Sequence, residues 1–302
     1  MKTEIRVEGF LDVPRTLQRF HLWGEDPANR LSPGVFRRAV KVAGRWRGYE
    51  VRWSGTVEGA RLLVSTPGER SARVLEAAAD EVARICGLEL DLEGFYPVAK
   101  EDPVLGFLVP RLRGLRPTLA PQPFEMLVGS VCAQQVNLSF AFAVKARLVR
   151  RFGTAIEVGG HTVYGFPEAE RLARARVSEL RRMQLTTRKS EYIVGLGRQV
   201  ASGALDLTAL GGCSNEEVVE ALTAVRGFGR WTADWFLARH LGRGDVCAAG
   251  DLAVRRAFEH FYNRGRPLDE AAVRRRAAAW GPYQNMAVHY LLAGRQLGAA
   301  AA

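Results

Sequence analysis

The chain has 302 residues, 47% apolar and 25% charged, enough for two globular domains each with its own core, which excludes a disordered or fibrous protein. Its formal net charge is +11, and 38 of its 43 cationic side chains are arginine, whose planar fork grips phosphate and stacks on flat rings. A coding bias toward arginine accounts for the arginine-to-lysine ratio but not for the excess over 32 carboxylates, so a polyanion such as nucleic acid is the expected partner. The opening stretch MKTEIRVEGFLDV is charged throughout, and no apolar run nears membrane-spanning length. A cytoplasmic location is therefore expected, nucleoid-associated in a bacterium, with no membrane contact. Cysteines stand at 86, 132, 213 and 247, no two closer than 34 positions, so they read as reduced thiols and no metal or iron–sulfur site is expected.

Residues 4 to about 65 read as strands: EIRVEGFLDV, RAVKVAG, RGYEVRWSGTV and ARLLVSTPG carry β-branched or aromatic residues between Gly, Pro and Ser. The stretch ERSARVLEAAADEVARICGL follows with Val74, Leu75, Ala78, Val82 and Ile85 near helical spacing. An α+β domain over residues 1–98 is expected, a small antiparallel sheet with helices. Residues 99–302 read as helix throughout, an all-α region of two packed helical subdomains with a cleft between them. One helix is expected from FEMLVGSVCAQQVNLSFAFAVKARLVRRFG, opened after PQP and closed at Gly153. Another covers SEYIVGLGRQVASG, ending at Gly203, and Ser214 with Glu217 forms a capping box for NEEVVEALTAV.

The stretch VRGFGRWTADWF, residues 225–236, interrupts this pattern. A helix ends at Val225, the turn Arg226-Gly227-Phe228-Gly229 crosses, and a second helix starts near Arg230. Glycines permit positive φ and close approach of another backbone, and the amides of such a turn and of the new helix point outward at an anion. The geometry is a helix–hairpin–helix that holds DNA phosphate without reading sequence. Trp231 and Trp235, at i and i+4, share one helix face, either as core packing or as a platform for a flat base. Downstream, Asp245 reads as a loop organiser and Asp251 as an N-cap, or as a carboxylate that stabilises a breaking glycosidic bond.

The run from LDLTALGG to DLAVRRAF resembles the helix–hairpin–helix superfamily of base-excision DNA glycosylases, in its 3-methyladenine DNA glycosylase II (alkylbase) branch. The hairpin followed by Arg-Trp-Thr-Ala and, 20 residues after Trp231, an aspartate opening a helix carry the likeness. FEMLVGSVCAQQVNLSFAFAVKARL and MQLTTRKSEYIVGLGRQVASGALDL extend it over residues 100–295. The resemblance implies that Asp251 is the catalytic aspartate and that Trp231, Trp235 and Tyr283 line the base pocket. It implies that Gln135, beside Gln134, wedges into the duplex where the nucleotide has left. Arg226, Gly227, Phe228, Gly229, Arg230 and Thr232 fall in the DNA-binding hairpin, whose carbonyls in relatives can hold a monovalent cation; no other cofactor is implied.

Where bifunctional members of the superfamily carry a lysine nucleophile this chain has Trp231, and no lysine follows Lys189, so a monofunctional glycosylase with water as the final nucleophile is implied. The expected activity is excision of alkylated purines from double-stranded DNA by a monomer. A glycosylase of the same fold for oxidised or deaminated bases, or a non-catalytic lesion-binding protein, are the alternatives. Two departures stand out: Ala249 and Gly250 replace the usual loop proline, which implies a more mobile Asp251, and Gln135 replaces an aliphatic wedge.

Overall fold

The computed structural model describes residues 1–298. Five strands, β1 (Lys2–Arg6), β2 (Asn29–Ser32), β3 (Val35–Val42), β4 (Arg45–Ser54) and β5 (Arg61–Ser65), form an antiparallel sheet in the order β1-β5-β4-β3-β2. Its register sets Ile5 opposite Leu62 and Val51 between Phe36 and Val64. The helix Ala72–Ile85 lays its apolar stripe, with Val74, Leu75, Ala78, Val82 and Ile85 all buried, on that face. The α+β class follows from this sheet and the helices after it.

Three local features differ from the sequence reading. Between β1 and β2 the chain forms the short helices Val13–Leu17 and Arg19–Leu22, the first capped by Asp12, which accepts from the Arg15 amide, with proline in its first turn. The long helix expected from residue 124 onward is two helices, Pro123–Ala133 and Leu138–Phe152, because Gln135 takes φ +54° and Asn137 caps the second by accepting from the Phe140 amide. The region beyond residue 99 is also not all helix. Strands β6 (Thr154–Val158) and β7 (His161–Gly165) pair across Gly159 and Gly160, both at positive φ, and lie on the outer face of the first sheet. Val158 and Val163 are buried there with Ala39, beside Trp46 and Ile156. Gly48 permits the contact, since a Cβ on it would lie 2.0 Å from a methyl of Val158.

The helices form two cores. One joins Pro123–Ala133, Leu138–Phe152, Thr187–Ala201, Asn215–Thr223 and Arg230–Arg239. The other joins residues 92–115 to residues 247–291. The expected boundary at residue 98 falls inside the helix Leu92–Lys100, whose buried Leu92, Phe95, Tyr96 and Ala99 belong to this second core, whereas the sheet's own core ends at Cys86. Trp235 packs against both helical cores and so sits at their seam.

A buried ionic network fastens the sheet to the first helical core. Arg38 on β3 donates to Glu81 at 2.8 Å, to Glu125 at 2.7 Å and to Asn29 at 2.6 Å. Lys145 donates to Glu125 at 2.9 Å and to Asp26 at 3.1 Å. Burial alone would disfavour the Glu125 carboxylate, but Arg38 and Lys145 overcome it and hold this carboxyl well below the usual range. Glu125 and Lys145 sit on the two helices that flank the break at 134–137, so the network sets the position of that break. Replacing one member of a buried pair strands the others, at about 3–5 kcal/mol. Arg38→Met is therefore expected to lower unfolding stability by about that amount in urea denaturation, whereas the exposed Arg113–Glu58 pair should be nearly silent when broken.

Candidate active site

The hairpin is built from local rules. Ser214 and Glu217 close a reciprocal capping box that starts the helix Asn215–Thr223. Val225 and Phe228 turn inward into the first helical core. Gly227 takes φ +94°, and a Cβ on it would lie 2.3 Å from the Tyr192 ring, so both conformation and space demand glycine. Gly229, in extended conformation, has open space where a Cβ would be. It caps the helix Arg230–Arg239 with no side chain; the Thr232 amide donates to Gly229 O at 2.9 Å, and the amides of Gly229, Arg230 and Trp231 meet no capping oxygen. Those amides and the helix's positive end face the surface.

The second helix then presents its two tryptophans to one carboxylate. Trp231 Nε1 donates to Asp251 Oδ2 at 2.7 Å, and Trp235 Nε1 donates to the same oxygen at 3.2 Å. The other oxygen, Oδ1, accepts from the amides of Ala253 at 2.8 Å and Val254 at 3.2 Å, capping the helix Leu252–Tyr262. Cap and indole partner are the same residue: the N-cap reading of Asp251 holds, and its other oxygen lies against both indoles. Four N–H donors surround the carboxylate and fix its plane.

The loop before Asp251 is held tightly, against the mobility implied by its Ala249 and Gly250. Cys247, Ala248 and Ala249 are buried, and the Asp251 amide donates to Ala248 O at 2.9 Å. The holding group is Arg274, which donates to Cys247 O at 3.1 Å and to Asp234 Oδ2 at 2.6 Å. Asp234 is fully buried and accepts through its other oxygen from Arg230 Nε at 2.7 Å. Burial of Arg274 works against its charge, but its bonds to Asp234 and Glu270 more than offset this and raise its pKa. One aspartate thus links the hairpin helix to the loop that delivers Asp251. Asp245 organises the far end of that loop, accepting from Asn215 Nδ2.

The remaining candidates divide. Gln134 Nε2 donates to Gly227 O at 2.8 Å, tying the helix break to the hairpin, with Gln135 at its tip beside exposed Val136, Leu138 and Phe140. Arg226 is exposed and pairs with Glu191. Two hairpin side chains face inward: Thr232 is 1% exposed and Phe228 packs in the core, so only the backbone of these two residues is left to meet DNA. Tyr283 makes contacts of its own. Its hydroxyl donates to Asp91 at 2.8 Å, its ring packs on Phe95, and it lines a cavity of about 330 Å³ with Leu90, Gly244 and Met286, none of them part of the indole pair. Asp234 and Arg274 were missed; an i,i+4 pair of Arg230 with Asp234 was the available local signal. Among the described residues no cluster of His, Cys, Asp and Glu could hold a metal ion, and no helix is long and apolar enough to cross a membrane.

A hairpin with open amides, followed by a helix whose indoles meet a capping carboxylate at the seam of two helical cores, defines a base-excision repair architecture. Residues 128–282 match the HhH-GPD superfamily of base excision DNA repair proteins, and the chain belongs to that family. It is 34% identical over 204 residues to a DNA-3-methyladenine glycosylase of Bacillus subtilis, covering 68% of this chain and 67% of that one. Among solved structures, a 3-methyladenine DNA glycosylase from Archaeoglobus fulgidus superposes with a TM-score of 0.88 at 28% identity over 98% of both chains. An 8-oxoguanine glycosylase/lyase of Clostridium acetobutylicum shares the fold at a TM-score of 0.77 and 16% identity, over 99% of this chain and 98% of that one.

The two glycines give separable variants. Gly229→Ala should leave the melting temperature unchanged but weaken duplex DNA binding about tenfold, read by fluorescence anisotropy, since only the approaching phosphate meets the new methyl. Gly227→Ala should lower both, because its Cβ strikes Tyr192.

Proposed function

We propose that the protein is a monofunctional DNA glycosylase that hydrolyses the N-glycosidic bond of alkylated purines. The observation that carries the reading is the Asp251 carboxylate gathered under two indoles, one hairpin away from open backbone amides. The similarity to proteins named 3-methyladenine glycosylases supports the substrate class.

The basic surface draws in duplex DNA, and the amides at Gly229, Arg230 and Trp231 take one phosphate. Hairpin carbonyls are hard oxygen donors of the kind a monovalent cation takes; those of Val225 and Gly227 each accept an N–H and keep a second lone pair. The target nucleotide rotates out at a cost of a few kcal/mol, smallest for a damaged pair. Gln135 fills the gap, and the exposed apolar side chains of Val136, Leu138 and Phe140 meet the neighbouring bases. Gln134, anchored on Gly227, makes insertion and phosphate grip one rigid unit.

An alkylated purine carries positive charge, so aromatic faces favour it over a normal base by cation–π attraction. Such a base leaves without a general acid. The C1′–N bond breaks with its electron pair departing on the base, and the sugar becomes a cation. Each oxygen of Asp251 already accepts two N–H groups, so the carboxylate acts through its negative charge on that cation rather than as a nucleophile. Water then adds its oxygen to C1′ and releases a proton to solvent.

Asp251→Asn should cut single-turnover release of 3-methyladenine at least about 100-fold while duplex affinity stays within about twofold. Unchanged release would remove Asp251 from the chemistry. Against a lyase route, Trp231 occupies the hairpin-helix position, and Lys189 Nζ donates to Cys132 O at 3.1 Å. Borohydride treatment during turnover should therefore trap no protein–DNA adduct, and the product should be an intact strand with an abasic site. A trapped adduct would overturn the monofunctional assignment.

A further inference from the structure

The seam between the helical cores holds one polar atom with no use inside the protein. His289 lies on the last helix, Gln284–Gln296, with its ring edge-on to Trp235, centroids 5.9 Å and planes 84° apart. Its Nδ1 lies 2.9 Å from the carbonyl of Asn285. A carbonyl only accepts, so this network assigns the hydrogen to Nδ1. Burial pushes the ring's pKa down to about 4, so at neutral pH the imidazole is uncharged and Nε2 is a bare lone pair. Nε2 is shielded from solvent and has no hydrogen-bond partner. Asn285 is itself pinned, its side chain to Ala238 O and its amide to Gly244 O, each at 2.9 Å, so the ring cannot swing away without breaking that anchor.

Buried acceptors are ordinarily paired, and one left unpaired by a fixed tautomer is poised for a donor from outside. The ring that His289 touches is the one whose indole N–H lies on Asp251. The geometry points to His289 as a specificity-determining residue whose Nε2 accepts an N–H from the everted base. The inference rests on the glycosylase reading of this site and narrows its substrate class. A base edge that offers an amine gains a hydrogen bond there, whereas an edge that offers a carbonyl sets two lone pairs against each other. The proposed contact is to the 6-position, where adenine carries its amino donor and guanine a carbonyl oxygen; guanine's own donors, N1–H and the 2-amino group, lie elsewhere on the ring. The favoured substrates are therefore 6-aminopurines alkylated on the ring, 3-methyladenine ahead of 7-methylguanine. Because Nε2 is covered in the free protein, the base reaches it only by parting the packing above it, so His289 reads a nucleotide that is fully inserted.

The test is release of both bases from the same methylated duplex, followed chromatographically under single-turnover conditions for the wild type, His289→Leu and His289→Gln. The leucine variant is expected to lose about tenfold in 3-methyladenine release, with 7-methylguanine release within about twofold, which also reports that the variant is folded. The glutamine variant, whose amide oxygen restores an acceptor, is expected to recover part of the lost rate. An equal fall for both bases, or an unchanged ratio, overturns the assignment to His289 and leaves the glycosylase reading intact. A wild type that releases neither base overturns the glycosylase reading and this inference with it.

Discussion

A single carboxylate with four N–H donors organises this molecule. Asp251 accepts two amides of the helix it opens and two indoles from a helix that starts 21 residues earlier in the chain. Placing an anion at the positive end of a helix is favourable in itself. The indole donors then aim its second oxygen at the seam where the two cores meet. Trp231 and Trp235 can both reach it only because they stand one helical turn apart on the same face. The hairpin that fixes the start of their helix thereby also fixes the geometry around the acid.

That geometry depends on a side chain from a remote helix. Lacking the ring constraint of a proline, the loop before Asp251 is held by Arg274, which bridges the Cys247 carbonyl and the fully buried Asp234. Local backbone restriction and a long-range clamp are two solutions to one problem, and this chain uses the second. The Gln134 contact with Gly227 does the same for the opposite side of the cleft, joining the helix break to the hairpin.

What could be seen in the sequence was whatever follows from short-range rules. The capping box at Ser214, the glycines of the turn, the tryptophan spacing and the cap at Asp251 are each decided within four residues, and each is where the local pattern puts it. The break at Gln134–Asn137 was hidden inside an otherwise helical pattern, although Asn137 before an apolar run is a cap signal. The β6–β7 pair carried its own signal in Gly159-Gly160 between alternating segments, and the helices on either side masked it. The contact of Tyr283 with Asp91, 192 residues away, carries no local signal. Asp234 with Arg274, 40 residues apart, and Trp235 with His289 meet only through tertiary packing, which no periodicity encodes.

The β6–β7 pair has a consequence for how the protein can be divided. It emerges from the helical region yet covers the face of the first sheet opposite the Ala72–Ile85 helix, resting on Gly48 with Val158 and against Trp46 with Gly165. The sheet is therefore sandwiched, one side covered by its own helix and the other by a strap from a distant part of the chain. Expressed alone, the amino-terminal piece would bare Ala39 and Trp46 to water, and the helical piece would bare Val158 and Val163. The fold has two kinds of architecture but only one solubility unit, and a split between them would leave two sticky halves.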